Sequence, residues 1–142
     1  MRPLSKRHAA ILDQLTAGVC DDYPHRRIDN APGAFMAAVV EKIGPARYSV
    51  AHYFVQNGDL VADPDLEFVK QDGAWFPAAI TQVLGYSCPI TTDEQGRIVS
   101  CRPHAYADLR SFAGMLLTNI KHQQGDLSRE PAGEEGGETV GA

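Results

Sequence analysis

The densest concentration of chemically capable side chains is the run Asn57-Gly-Asp-Leu-Val-Ala-Asp-Pro-Asp-Leu-Glu67. Asp59, Asp63, Asp65 and Glu67 place four carboxylates within nine residues, the oxygen-rich chemistry that a hard cation such as Ca²⁺ or Mg²⁺ requires. The spacing departs from that of an EF-hand loop, which alternates its acids around a central glycine and closes on glutamate. Asn57-Gly58 and Asp63-Pro64 are turn formers, so the ordinary reading is of solvated acids where one strand ends and the next begins. His52 lies just upstream and shares a strand face with Tyr48, Val50 and Phe54, because side chains alternate along a strand. If that face is the core, His52 is a satisfied core histidine. If it is the open face, His52 can meet Asp65 or Glu67 as an acid/base or ligand pair. His8, His25, His104 and His122 are too scattered to complete a zinc site.

The three cysteines, Cys20, Cys88 and Cys101, include no Cys-x-x-Cys pair, and an odd number points to free thiols. A hairpin turn centred between Glu94 and Gln95 would place Cys88 directly opposite Cys101. His104 lies near Cys101 in sequence, but a nucleophilic cysteine would also need an oxyanion site. Neither a Gly-x-Gly-x-x-Gly loop nor a Walker lysine is present. The aromatics Tyr48, Tyr53, Phe54, Phe68, Trp75 and Phe76 could stack on single-stranded nucleic acid, but such strand aromatics more often form a core, and these read as core.

The elements that must position these groups are legible in outline. Ser5 reads as the N-cap of a helix running to about Gly18, with Leu4, His8, Ile11, Leu12 and Leu15 on one face. Cys20 to Gly33 is rich in turn formers and reads as a surface connection. Phe35–Ile43 and Arg47–Val55, separated by Gly44-Pro45, read as a hairpin. Leu66–Gln71 and Ala74–Ile80 flank Asp72-Gly73, a strong hairpin signal that would set Val69 opposite Phe76. A third hairpin pairs Ser87–Thr91 with Arg97–Cys101. From about Ala105 to His122, Leu109, Phe112, Ala113, Leu116 and Ile120 recur at helical spacing. The expected fold is therefore α+β, an antiparallel sheet of four to six strands packed against N- and C-terminal helices. Phe54, Phe68, Trp75, Leu109, Phe112 and Leu116 are its expected core. By position the chain divides into a helix and loop (1–34), the α+β core (35–124) and a disordered acidic tail (125–142).

Length and charge narrow the function classes. A chain of 142 residues with 44% hydrophobic and 22% charged residues fits one domain able to bury a core without metal or disulfide staples. The formal charge is −5, but residues from Asp126 onward contribute −4 of it, leaving a nearly neutral body. That balance is neither the basic footprint of a nucleic-acid binder nor the acidic surface of a nucleic-acid mimic. No apolar run reaches the roughly 18 residues of a membrane span. Nor does the N-terminus have the apolar stretch of a secretory signal. A cytoplasmic protein is expected, with no membrane partner and with a nucleic acid disfavoured as one.

The residues Ala51-His-Tyr-Phe-Val-Gln-Asn-Gly-Asp-Leu-Val-Ala-Asp-Pro-Asp-Leu-Glu-Phe68 carry a further signal. So do Trp75-Phe-Pro77, Leu84-Gly85, Asp93–Arg97 and Leu109-Arg-Ser-Phe-Ala113. Over about residues 35–123 the chain resembles a family of small uncharacterised bacterial proteins. Their genes lie on conjugative plasmids, integrative elements and phages. The resemblance implies context rather than mechanism: an accessory role in mobile-element biology, including interference with a host defence system. With no catalytic constellation in view, the leading expectation is a non-enzymatic protein that binds another protein. The competing expectation is a small metal-dependent enzyme or cation-binding domain using His52 and the Asp59–Glu67 carboxylates, and a third is single-strand binding. No cofactor is expected, a divalent cation being the one candidate, and the binding residues expected are His52, Asn57, Asp59, Asp63, Asp65 and Glu67.

Overall fold

The Ser5 hydroxyl accepts a hydrogen bond from the His8 amide at 3.2 Å and starts helix α1, Lys6–Leu15, as a side-chain oxygen at an N-cap should. The computed structural model describes residues 1–28, 38–56, 58–83 and 85–124, with 53–56, 59–63 and 123–124 described by their backbone alone. After α1 come β1 (His25–Ile28), β2 (Ala38–Gly44), β3 (Arg47–Gln56), β4 (Asp59–Gln71), β5 (Ala74–Gln82) and β6 (Gly85–Ser87). A short hairpin of β7 (Ile90–Thr92) and β8 (Ile98–Cys101) leads into helix α2, Pro103–Gln124. The first six strands form one sheet whose spatial order is the chain order, every neighbouring pair antiparallel. This is the expected α+β architecture, with six strands in the main sheet and a second sheet of two.

Turn chemistry explains the meander. Asp72 and Gly73 carry φ of +54° and +81°, the pair of positive values that a two-residue type I′ turn needs. Val69 consequently faces Phe76 and Gln71 faces Ala74, as the sequence predicts. The β2–β3 turn ends on Ala46 at φ +54°. Gly96, at φ +85°, brings the β7–β8 turn so close that a Cβ there would lie 2.6 Å from the Pro45 carbonyl oxygen. Arg97 reaches Asp72 at 3.0 Å, and the Ile98 amide donates to Gln71 Oε1 at 2.8 Å. The small hairpin is therefore tied to the turns at one end of the sheet.

One sheet face is covered by both helices. Leu12, Leu15, Val40, Val50, Leu66, Phe68, Trp75, Leu117 and Ile120 are buried in this core, with Leu109 and Leu116. Phe112 only packs against it, partly buried, and the Phe54 side chain lies outside the described residues. The helix and loop expected ahead of the core are part of it, since Ile11, Leu12, Leu15 and Val19 lie in the same cluster as α2. A second cluster joins Val69, Ala78, Ile90 and Tyr106 beneath the β7–β8 hairpin. The N-terminal arm is latched to α2, with Tyr106 Oη donating to the Arg2 carbonyl at 2.6 Å and Arg110 Nε to that of Pro3 at 2.8 Å.

Three local expectations are corrected. The connection from Cys20 contains strand β1, which pairs with β2 from His25↔Glu41 to Ile28↔Ala38. Its buried Arg26 donates from Nη1 to the Gln14 and Leu15 carbonyls at 2.6 and 3.1 Å, which a helix leaves without intrahelical partners. The strand is thus fixed by tertiary contacts rather than by an apolar alternation. The expected strand Ser87–Thr91 is divided at Cys88-Pro89 between two sheets. Cys101 faces Ile90 and not Cys88, because the Asp93 carboxylate organises the turn by accepting the Gln95 and Arg97 amides, and a bulge follows. All three cysteines are free.

The helices meet closely at one point. Thr118 Oγ1 donates to the Gly114 carbonyl at 3.0 Å and lies 3.2 Å from His8 Nε2. A hydroxyl has one proton, so His8 donates through Nε2. A Cβ at Gly114 would stand 2.5 Å from the His8 ring. Gly114→Ala is therefore expected to lower stability by about 1–2 kcal/mol through overpacking, against the usual helical preference for alanine of about 1 kcal/mol. In a His8→Ala background the same change should become stabilising. A double-mutant cycle by urea unfolding checks this, and additive effects would refute the contact.

Candidate functional site

Alternation along β3 sends Tyr48, Val50 and His52 toward the helices and Arg47, Ser49 and Ala51 to the other face. Val50 lies in the helix-covered core and His52 faces Ala38 of that core across the β2–β3 ladder. His52 is 4% exposed and its Nε2 has no hydrogen-bond partner among the described residues. Burial holds its pKa below the ordinary value of 6.5, since charging a desolvated imidazole is unfavourable.

The opposite face carries a polar row that crosses four strands. Ser49 of β3 faces Glu67 of β4, and Ala51 faces Asp65. Each contact between side chains runs diagonally to the neighbouring register position. Arg47 donates to Glu67 Oε1 from Nε at 2.8 Å and from Nη2 at 2.7 Å. Ser49 Oγ donates to Asp65 Oδ1 at 2.6 Å. The Arg47 and Glu67 side chains are only 19% and 18% exposed, so the pair is partly desolvated and removing one member leaves the other poorly solvated. The Arg47 guanidinium also reaches Cys88 Sγ at 3.9 Å, while the thiol donates to the Ile90 carbonyl at 3.3 Å.

Tyr86 of β6 completes the row, facing Thr81, which faces Asp65. Burial works against the charge of Arg47, but hydrogen bonds to Glu67 and Cys88 outweigh it and hold its pKa above the ordinary value. For Asp65, burial raises the pKa, helped by the Glu67 and Glu41 charges and opposed by the Ser49 hydrogen bond. Burial, the Cys88 hydrogen bond and the Glu67 charge raise that of Tyr86, against the pull of Arg47.

The expected site is thereby divided. Asp65 and Glu67 share a face, as their spacing predicts, but His52 lies on the other side of the sheet and does not meet them. Asp59 and Asp63 belong to β4, their side chains outside the described residues, as is Asn57. Among the described residues no three His, Cys, Asp or Glu side chains come together to hold a metal ion. Sequence reasoning missed Arg47, Ser49, Tyr86 and Cys88. The first two could have been found, since Arg47/Ser49 and Asp65/Glu67 are i, i+2 pairs on strands that a hairpin makes adjacent.

Fold and site together define an α+β domain with a six-stranded meander, helices over one face and a paired polar row on the other. A family model described as a domain of unknown function (DUF6908) matches residues 6–125, and the chain belongs to that family. The match includes α1, which the resemblance read from the sequence left outside. No curated protein and no solved structure gives a significant match.

Two titrations follow with definite signs. His52 and His8 both have lowered pKa values, His8 through burial and the Arg7 and Arg110 charges. Below about pH 6.5 the unfolded chain therefore binds protons that the folded chain resists, and stability falls as pH drops from there. His52→Leu is expected to lessen that loss between pH 7.5 and 5.5 without abolishing it. Identical pH slopes for both proteins would refute the account. Asp65 has a raised pKa, so its ionisation costs stability as pH rises through the folded value. Asp65→Asn, which keeps an acceptor for Ser49, is expected to raise the unfolding midpoint at pH 7 and leave it unchanged near pH 3.

Proposed function

We propose that this chain is a non-enzymatic accessory protein of a mobile genetic element that acts in the host cytoplasm by binding another protein, and that the polar row is its contact surface. The observation that carries this reading is the half-buried Arg47–Glu67 pair and the Ser49–Asp65 bond lying beside Thr81 and the 59% exposed Tyr86. Such a surface has the anatomy of an interface. Arginine and tyrosine are the side chains that most often carry binding energy there, and internal pairing fixes their positions before a partner arrives, which lowers the ordering cost of association. The resemblance of the Ala51–Phe68 run to proteins encoded on plasmids, integrative elements and phages supports the accessory role, and interference with a host defence system is the form it would take.

A photo-crosslinking amino acid in place of Tyr86 tests the reading in the bacterial host. One discrete adduct with a host protein is expected, reduced about tenfold by Thr81→Arg, which adds bulk and charge to the same face. The same crosslinker at the exposed Met115 of α2 is the control. Equal adducts from both positions would overturn the assignment of the sheet face.

A further inference from the structure

The helical side of the molecule holds a different surface. An open cleft of about 360 Å³ lies between α1 and the last turns of α2, lined by Arg7, Ile11, Thr118, Lys121 and His122. Among the described residues no carboxylate lines it. Arg7 and Lys121 are exposed, and among the described residues neither forms an ion pair. The Thr118 hydroxyl is already engaged, donating to the Gly114 carbonyl and accepting from His8, and Ile11 is buried in the core, so the groups free to meet a ligand are the two cations and His122.

Charge is segregated to match. Residues 1–15 and 102–124, which are the arm and the two helices, carry six Lys and Arg against only Asp13 and Asp108, in a chain of net charge −5. Asp13 faces away from the cleft, accepting from Trp75 Nε1 at 2.9 Å and lying 3.5 Å from Lys70 Nζ. Among the described residues no carboxylate offsets the positive charge of the helical layer at the cleft, and a concave site concentrates such a potential.

We infer that this cleft binds an acidic peptide segment of a partner protein, its carboxylates on Arg7 and Lys121. The concave shape and the short reach of the positive charge favour a peptide over a nucleic acid. A backbone of phosphates would be followed by a longer basic stripe with base-stacking aromatics, whereas the cleft has two cations, one histidine and one isoleucine. This surface is independent of the sheet face, so either assignment can fail without the other.

Fluorescence anisotropy of the full-length protein with a labelled dodecapeptide of repeating Glu-Glu-Leu tests the inference. Binding at 50 mM salt is expected, weakening about tenfold at 200 mM as screening shortens the reach of the charges. The pair of reversals Arg7→Glu and Lys121→Glu is expected to weaken it by at least about tenfold. Neither side chain has an ion pair to lose, and an unchanged thermal unfolding midpoint checks that both variants fold. Equal binding by the reversed protein, equal binding of a Gln-Gln-Leu peptide, or tighter binding of a twelve-nucleotide single strand than of the acidic peptide would each overturn the inference. Retention of the Tyr86 crosslink in the reversed protein is expected and separates this surface from the sheet face.

Discussion

Trp75 joins the two layers of the molecule, and most other contacts depend on where it sits. It is 1% exposed on the helix-covered face of β5. Its indole donates to Asp13 of α1 at 2.9 Å, its ring meets Tyr48 of β3 edge-on at 5.3 Å, and Lys70 of β4 lies 5.4 Å from its centroid. Its own carbonyl accepts the Leu4 amide of the N-terminal arm at 2.9 Å. One residue, through its ring and its carbonyl, thus fixes the first helix, the arm and strands β3 to β5 relative to one another. A large aromatic body with one polar atom suits this duty, because it fills the interlayer space while its N–H finds a partner at the boundary.

The polar row on the other face depends on a second support. The β7–β8 hairpin adds no strand to the main sheet, yet it packs Ile90 and Ile98 near Val69 and Phe76 and sets Cys88 beside Arg47. It acts as a buttress that limits water access to the Arg47–Glu67 pair on one side. Adjacent carboxylates at Asp65 and Glu67 would repel one another on a bare sheet. Here each has its own donor, one a guanidinium and one a hydroxyl, and that division lets two acids share a partly desolvated face.

Where the sequence was legible, local chemistry was decisive. Asp72-Gly73 admits one hairpin geometry, so the β4–β5 register near the turn followed at once, and Ser5 with the apolar stripe behind it defined α1. Elsewhere the decisive term was distant. His52 was correctly grouped with Tyr48 and Val50, but alternation states only which residues share a face, and the choice of face for the core was made by the helices. The β7–β8 register depended on the Asp93 carboxylate gathering two amides and on a bulge, neither of which has a spacing signature. Strand β1 depended on Arg26 capping a helix eleven and twelve residues earlier, a contact that no periodicity encodes. Asp65 and Glu67 were legible as a pair, but Arg47 and Ser49, which satisfy them, became visible only once β3 and β4 were set side by side.

The latch between the N-terminal arm and α2 bears on how the chain is made. Arg2 and Pro3 are held by Tyr106 and Arg110, more than a hundred residues later, and Leu109, Leu117 and Ile120 complete the core that α1 begins. On the ribosome the sheet can pair strand by strand as it emerges, because each hairpin is local. The face beneath the helices cannot close until α2 is free to dock. A nascent chain paused before α2 would present Val50, Leu66, Phe68 and Trp75 to solvent, a surface that chaperones bind and that promotes aggregation. For this topology the docking of α2 is the step that seals the fold.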